Sequence, residues 1–204
     1  MGGEASPLAH RMYSRGSVRL AAAFVAFSIW AATAGNAWAA GRDEWQLSLR
    51  EGAARVSVDG RTPWGDATAL DLEYGFLDAW AVRASLEGSV HSVSGNAQTG
   101  LPGGTIHTGA ALVGVTYTVD ILRLVPYFDL EIGVVEIGGA VVARVPHKLV
   151  SELGAGGDYF ITHRVTAGLS FQYLYGPFDL LENPREFGNS PFIFSVTARL
   201  SWIF

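Results

Sequence analysis

The sequence predicts an all-β protein: an eight-stranded antiparallel up-and-down transmembrane β-barrel, preceded by a cleaved signal peptide. Three observations predict this fold. Apolar and polar residues alternate with a period of two in successive segments, which places them on opposite faces of strands. The connections between these segments are alternately long and short, as in an antiparallel meander. Aromatic residues gather near the strand ends in two belts, which is typical of a barrel that spans a bilayer.

Residues 1–39 have the composition of a signal peptide, and residues 40–204 are expected to form the barrel domain. A basic leading region with Arg11, Arg15 and Arg19 precedes the apolar run LAAAFVAFSIWAAT. The A-x-A pattern at 37–39 predicts cleavage after Ala39 or Ala40. The alternative is a membrane anchor that stays attached, but the run is shorter than the ~20 apolar residues that a membrane helix needs.

The first four strands are predicted from alternation between turn-rich segments. Residues 45–58 (WQLSLREGAARVSV) form the first strand, and DGRTPWGD after it is a turn. The apolar positions change parity past Gly52, which predicts a β-bulge there. Residues 67–76 (ATALDLEYGF) and 81–93 (AVRASLEGSVHSV) follow, joined by four residues. After SGNAQTGLPGG, which has no apolar period, residues 105–119 (TIHTGAALVGVTYTV) form the fourth strand.

The last four strands follow the same rhythm. Residues 126–137 (PYFDLEIGVVEI) and 149–159 (LVSELGAGGDY) flank a looser segment, 138–148. Residues 166–176 (TAGLSFQYLYG) precede the polar loop PFDLLENPREFGNS. The final segment, FIFSVTARLSWIF, alternates most clearly, and it ends the chain on an aromatic residue, Phe204. Its apolar stripe with Trp202 and Phe204 at one end is typical of a lipid-facing strand.

Periodicity alone does not say which face of the barrel is enclosed. A soluble lipocalin-type barrel, with its apolar face inside, is the alternative. Glycines that share the charged face, aromatic residues at the strand ends and unequal loops favour charges inside. Buried charges must pair, so we expect a salt-bridge plug, with a narrow polar conduit or proton path as the alternative. The predicted lumen charge network consists of Arg50, Arg55, Asp71, Glu73, Arg83, Glu87, Asp129, Glu131, Glu152, Asp158 and Arg199.

Together, the signal peptide, the strand rhythm and the terminal Phe204 resemble the small bacterial outer-membrane β-barrels, the OmpX/OmpA-like family. LGAGGDYFITHRVTAGLSFQY is similar to the penultimate hairpin of that family. The resemblance covers nearly all of the mature chain and implies a location in the bacterial outer membrane, without specifying an activity. It also implies that Leu200, Trp202 and Phe204 form the signal that the outer-membrane assembly machinery reads.

Three groups of residues are candidates for chemistry or binding. His91, Ser94 and His107 could serve a lipid hydrolase, but residues three apart on a strand point to opposite faces, so we expect no catalytic site.

Arg144, His147 and Lys148 lie toward the long loops, where they are expected to contact lipopolysaccharide phosphates unless they belong to an ordinary solvated loop. In the last loop, Asp179, Glu182 and Glu186 carry oxygen ligands suited to a divalent cation, although a solvated loop is the simpler interpretation. We therefore predict no metal site and no cofactor.

The predicted function is that of a non-enzymatic integral outer-membrane protein, serving envelope structure or surface interaction through its extracellular loops. A narrow porin-like channel for small solutes and a lipid A-modifying enzyme are the alternatives. The expected partners are the lipid bilayer, lipopolysaccharide and the assembly machinery. The net charge of −5 argues against nucleic acid, and a monomer is expected.

Overall fold

A computed structural model of the chain describes residues 42–58, 61–95, 103–119, 123–142, 145–176 and 192–204. These residues form a closed antiparallel barrel of eight strands, which confirms the predicted fold class. The predicted signal peptide lies outside the described residues. The strands are β1 (Trp45–Ser57), β2 (Trp64–Leu77), β3 (Trp80–Val93), β4 (Gly104–Thr118), β5 (Leu124–Gly139), β6 (Val145–Phe160), β7 (Val165–Tyr175) and β8 (Phe192–Ile203).

Each strand pairs with the next in sequence, and β1 pairs with β8 to close the sheet. At the seam the backbone N–H of Trp45 donates to the carbonyl of Phe204 at 3.0 Å, and Phe204 N–H donates back at 2.9 Å. Closure satisfies the backbone groups that an open edge would leave unpaired, as a bilayer requires. None of the described residues forms a helix with the length and apolar character needed to cross a membrane.

Along most of each strand, apolar side chains point outward and polar ones inward. Leu86, Val113 and Ile132 are 61%, 51% and 58% exposed, whereas Arg50 and Arg83 are 1% and 0% exposed. This is the predicted orientation, with charges enclosed and the apolar face toward lipid.

Aromatic side chains ring the short-turn end of this outer surface. Trp45 lies against Tyr74 with ring centroids 4.9 Å apart, and Trp80 against Tyr117 at 5.0 Å. Near the long loops, Trp64 is exposed and meets the edge of Phe194. One aromatic residue of this end, Tyr127, is not part of the outer ring but is buried inside the barrel. It sits on the inner alternation of β5, two residues from Asp129.

The predicted β-bulge near Gly52 is wrong. The β1 residues pair without interruption with both β2 and β8 through this position. Alternation continues instead, so Ala54, Val56 and Val58 point inward like Arg50, while Arg55 points outward. The apolar residues of β1 pass from the outer face to the inner face because the surroundings of the strand change toward the long loops, and not because a residue is inserted.

The inward residues of the long-loop end form an apolar cluster, here called the upper core. Its members are Val56, Val58, Ile106, Leu112, Val135, Ile137, Val150 and Leu174, none more than 5% exposed. On the outside at the same end, polar residues such as Asp66, Ser92, Thr105 and His107 are exposed. The barrel thus has an apolar exterior in its lower part and an apolar interior at its long-loop end.

Several strands extend further toward the long loops than predicted. β2 begins at Trp64 instead of residue 67, and β6 begins at Val145 instead of residue 149. The β5–β6 register shifts between Val135 and Ile137, and His147 has a positive φ of 39°. The predicted strands end where the polar and apolar faces exchange sides, because the pattern of apolar residues outside and polar residues inside ends there.

Candidate functional site in the barrel lumen

Ten of the eleven residues of the predicted charge network lie on the inner face of the barrel. We call these ten the charged layer; all are buried except Glu87, whose side chain is 18% exposed. The layer consists of Arg50, Asp71, Glu73, Arg83, Glu87, Asp129, Glu131, Glu152, Asp158 and Arg199. The period of two brings them together, because each occupies an inner position of its strand.

Arg83 is the hub of the charged layer. Its Nη2 lies 2.9 Å from Asp71 Oδ2, its Nη1 3.0 Å from Asp129 Oδ1 and its Nε 3.0 Å from Glu131 Oε1. The Arg83 side chain and these three carboxylates are all 0% exposed. The planar guanidinium can bond several carboxylates at fixed angles, so one cation crosslinks three strands.

The other two arginines extend the network to either side. Arg50 makes a two-pronged contact with Asp71, with Nε and Nη2 each 2.8 Å from a carboxylate oxygen, and also bonds Glu87. Arg199 bonds Glu73 and lies 3.2 Å from Asp158. Its guanidinium also stands 4.7 Å from the centre of the Tyr127 ring, a cation–π contact.

Arg55 is not part of the network. It lies on the outer face of β1 near the long loops, where its Nη2 donates to Thr62 Oγ1 at 3.0 Å. The sequence prediction placed it inside because the supposed bulge would have reversed the faces of β1.

Two glycines of β6 make room for side chains of the lumen. A Cβ on Gly154 would lie 1.8 Å from Asp129 Oδ2, and one on Gly156 would lie 2.4 Å from the Tyr127 hydroxyl oxygen. These positions must lack side chains if Asp129 and Tyr127 are to fill the barrel at this level. Small residues on the charged face therefore fit a lumen filled by its own side chains.

The residues considered for hydrolysis do not converge. His91 is buried inside the barrel, whereas His107 is exposed on the outer face and Ser94 is exposed beyond the end of β3. Sequence reasoning missed Ser89, whose hydroxyl lies 2.7 Å from His91 Nε2 and 2.6 Å from Thr108 Oγ1. The signal was the spacing of two, which puts Ser89 and His91 on one face. Both are enclosed, so a lipid in the bilayer does not reach this pair.

The predicted lipopolysaccharide contacts do not share one surface. His147 is exposed on the outside, Lys148 alternates with the outward Leu149 and so lies on the inner side of β6, and Arg144 lies outside the described residues. His147 borders a shallow groove in the outer wall, lined also by Leu70, Leu86, Gly88, Gly109 and Val134. Gly88 and Gly109 are paired across β3 and β4, and their missing side chains form its floor.

The predicted assembly signal lies at the seam of the barrel. Leu200, Trp202 and Phe204 occupy alternate positions on the outer face of the last strand, and Phe204 is 61% exposed. The acidic loop residues Asp179, Glu182 and Glu186 lie outside the described residues.

Solved structures share this architecture. The chain superposes on neisserial surface protein A with a TM-score of 0.60 at 9% sequence identity, covering 78% of this chain and 96% of that one. For Ail, the attachment invasion locus protein of Yersinia pestis, the TM-score is 0.54 at 15% identity, covering 80% and 99%. For the outer-membrane protein OprG of Pseudomonas aeruginosa, it is 0.51 at 14% identity, covering 80% and 98%.

The fold is that of the small outer-membrane β-barrels. No protein-family model and no curated protein sequence matches the chain. The structural likeness and the apolar exterior together confirm the prediction of a bacterial outer-membrane barrel. The candidate site of this chain is its lumen, in which a charged layer lies below an apolar upper core.

Proposed function

We propose that this protein is a non-conducting, non-enzymatic outer-membrane barrel that presents its long-loop end for interaction outside the cell. The observation that carries the proposal is the upper core. Its side chains come from five strands, β1, β4, β5, β6 and β7, and Val56, Ile106 and Ile137 are 0%, 0% and 1% exposed. An apolar cluster that excludes water at one end of a narrow barrel opposes the passage of ions and polar solutes.

The charged layer supports the same function. Arg50, Arg83 and Arg199 are each held by at least two carboxylates, which crosslink the wall from inside. A rigid barrel wall suits a protein whose loops vary in sequence. The enclosed Ser89–His91 pair supports the absence of lipid hydrolysis, because a nucleophile must reach its substrate.

Planar-bilayer recording with the purified, refolded chain tests the proposal. We expect no steady conductance, while a refolded porin inserted in the same way gives regular steps. Uniform single-channel steps from the wild type would favour the narrow channel instead. Such steps must come from folded protein, so each preparation is first checked for the mobility shift that folded barrels show on unheated gels.

A second experiment addresses the enzyme alternative. Lipid A is extracted from cells with and without the expressed chain and compared by mass spectrometry. We expect identical spectra. A mass change that appears with the wild type and disappears with Ser89→Ala would show that the lumen pair is catalytic and would refute the proposal.

Lipopolysaccharide and the assembly machinery remain proposed partners of a monomeric barrel. The groove beside His147 supports contact with an acyl chain, because its walls are apolar and its floor is made by glycines. Filling the groove by Gly109→Phe should weaken binding to lipopolysaccharide-containing vesicles, whereas His107→Phe, also on the outer face but not among the groove residues, should not. Equal binding by both variants would argue against the groove as the contact.

A further inference from the structure

Three carboxylates of the charged layer meet at one point of the lumen wall. Asp129 and Glu131 occupy successive inner positions of β5, and Glu152 is the direct cross-strand partner of Glu131 on β6. One carboxylate oxygen from each residue lies within 4.8 Å of the other two. Counted over the whole residue, backbone included, their exposed fractions are 4%, 0% and 0%. We call these three residues the carboxylate cluster.

Several carboxylate oxygens of this cluster accept no hydrogen bond from the described residues. Neither oxygen of Glu152 has a hydrogen-bond partner among the described residues, and the same holds for Asp129 Oδ2 and Glu131 Oε2. The remaining oxygen of Asp129 accepts from Arg83, and that of Glu131 accepts from Ser85 and lies 3.0 Å from Arg83 Nε. Glu152 is therefore a fully buried carboxylate with no protein donor in the described part of the chain, directed at two partly satisfied ones.

The charges of the layer do not balance. Among the ten residues of the charged layer, three are arginines and seven are carboxylates. Arg50 is held by Asp71 and Glu87, and Arg199 by Glu73 and Asp158. Of these three arginines, Arg83 contacts the carboxylate cluster, through Asp129 and Glu131. An uncompensated buried carboxylate is strongly unfavourable, so Glu152 requires a positive partner or a proton.

We propose that the carboxylate cluster binds a divalent cation, and that it favours calcium over magnesium. All donors are carboxylate oxygens, which hard cations prefer and which soft metals do not. Calcium accepts irregular sets of carboxylate oxygens, whereas magnesium demands near-ideal octahedral geometry and keeps several waters, which suits this enclosed site poorly. A cation here would neutralise Glu152 and tie β5 to β6. The inference does not depend on the proposed function, since it concerns the wall and not the passage of solutes.

Isothermal titration of the refolded full-length mature barrel with calcium chloride, after removal of metals with a chelator, tests the proposal. We expect one calcium ion per folded barrel at pH 7.5. Glu152→Gln, which keeps the shape of the side chain and removes its charge, should weaken binding at least tenfold. The matched control is Asp158→Asn, which removes one carboxylate charge from the same layer outside the cluster and should change the affinity less than threefold.

Urea unfolding provides a second readout, which calcium bound at the surface of the barrel would not reproduce. Calcium should raise the urea midpoint of the wild type and of Asp158→Asn, and leave that of Glu152→Gln unchanged. Should Glu152→Gln fail to fold, Glu152→Met, which has similar length and no charge, takes its place.

Two results would overturn the inference. In the first, the folded wild type binds no calcium up to millimolar concentration, so that protons alone neutralise the cluster. In the second, binding survives Glu152→Gln and is abolished by combined substitution of Asp179, Glu182 and Glu186 with their amides. That outcome would place the ion in the last long loop.

Discussion

Replacing Arg83 by methionine removes the cation that three buried carboxylates share. Asp71 retains its two-pronged contact with Arg50, but Asp129 and Glu131 lose their arginine partner. Breaking a buried ion pair by removing one partner costs about 3–5 kcal/mol. Since two carboxylates lose their partner here, we expect Arg83→Met to lower the free energy of unfolding by at least about 3 kcal/mol.

The assay is equilibrium unfolding by urea in lipid vesicles, followed by tryptophan fluorescence in the presence of a chelator. Arg55→Met is the matched control, because Arg55 has the same side chain on the outer face of β1 and hydrogen-bonds only Thr62 among the contacts described. The half-buried side chain of Arg55 on this outer face contributes about 0–1 kcal/mol. The two substitutions are chemically identical, so their difference isolates the effect of the lumen.

A double-mutant cycle with Glu131→Gln sharpens the result. If Arg83 and Glu131 stabilise each other, removing both should cost less than the sum of the single changes, by about 1 kcal/mol or more. The reasoning is refuted if the unfolding free energies of Arg83→Met and Arg55→Met differ by less than about 1 kcal/mol, the cost of an ordinary surface change. It is refuted equally if the cycle shows no coupling.

Three further predictions test other parts of the barrel. Gly156→Ala should lower the unfolding free energy by about 1–3 kcal/mol, because the added carbon meets Tyr127 and the Leu169 carbonyl, while Gly109→Ala, with nothing within 4 Å, should stay within about 0.5 kcal/mol; urea unfolding that ranks them otherwise contradicts the packing. Ile106→Ala in the upper core should cost about 2–5 kcal/mol in the same assay, against less than about 0.5 kcal/mol for the exposed Thr105→Ala. Phe204→Ser should reduce the folded barrel recovered from cell envelopes but leave unassisted refolding in detergent unchanged, because the side chain points outward and the seam bonds are backbone bonds; an equal defect in both measurements would assign Phe204 a purely structural role.

The strand count and the inner and outer faces could be predicted because they depend only on a period of two. Arg83, Asp129 and Arg199 each fall on the polar face of their own strand whatever the details of pairing. The choice of which face is enclosed required the glycines and aromatic belts, and the structure agrees with that choice.

Polarity was not a safe guide to the face of Arg55. At Gly52 the sequence passes from apolar-out to apolar-in, and an exchange of polarity between faces has the same pattern as an inserted residue. Only the uninterrupted pairing of β1 with β2 and β8 separates the two explanations. The same exchange explains why β2 and β6 were predicted too short.

The carboxylate cluster could not be predicted because it depends on the register between β5 and β6. Glu131 and Glu152 are 21 positions apart in the numbering, and the register between their strands also shifts between Val135 and Ile137, so no tight turn fixes their pairing. A register shift of two residues would bring Val150 opposite Glu131 or, in the other direction, Gly133 opposite Glu152. By contrast, the Ser89–His91 pair was accessible to sequence reasoning, since both residues lie on one strand at a spacing of two.

The exchange of faces also bears on how the protein tolerates change outside the cell. Within the bilayer, the outer surface is stabilised by lipid and the inner one by ion pairs, so neither depends on the loops. Beyond the bilayer, a strand pair alone is marginally stable in water and needs a hydrophobic face of its own. The upper core supplies that face inside the barrel, from residues such as Val56, Ile106 and Ile137. Because the upper core already stabilises the strand ends, the loops attached to them can vary in sequence without unfolding the barrel wall. The proposed surface interaction requires loops that can vary in this way.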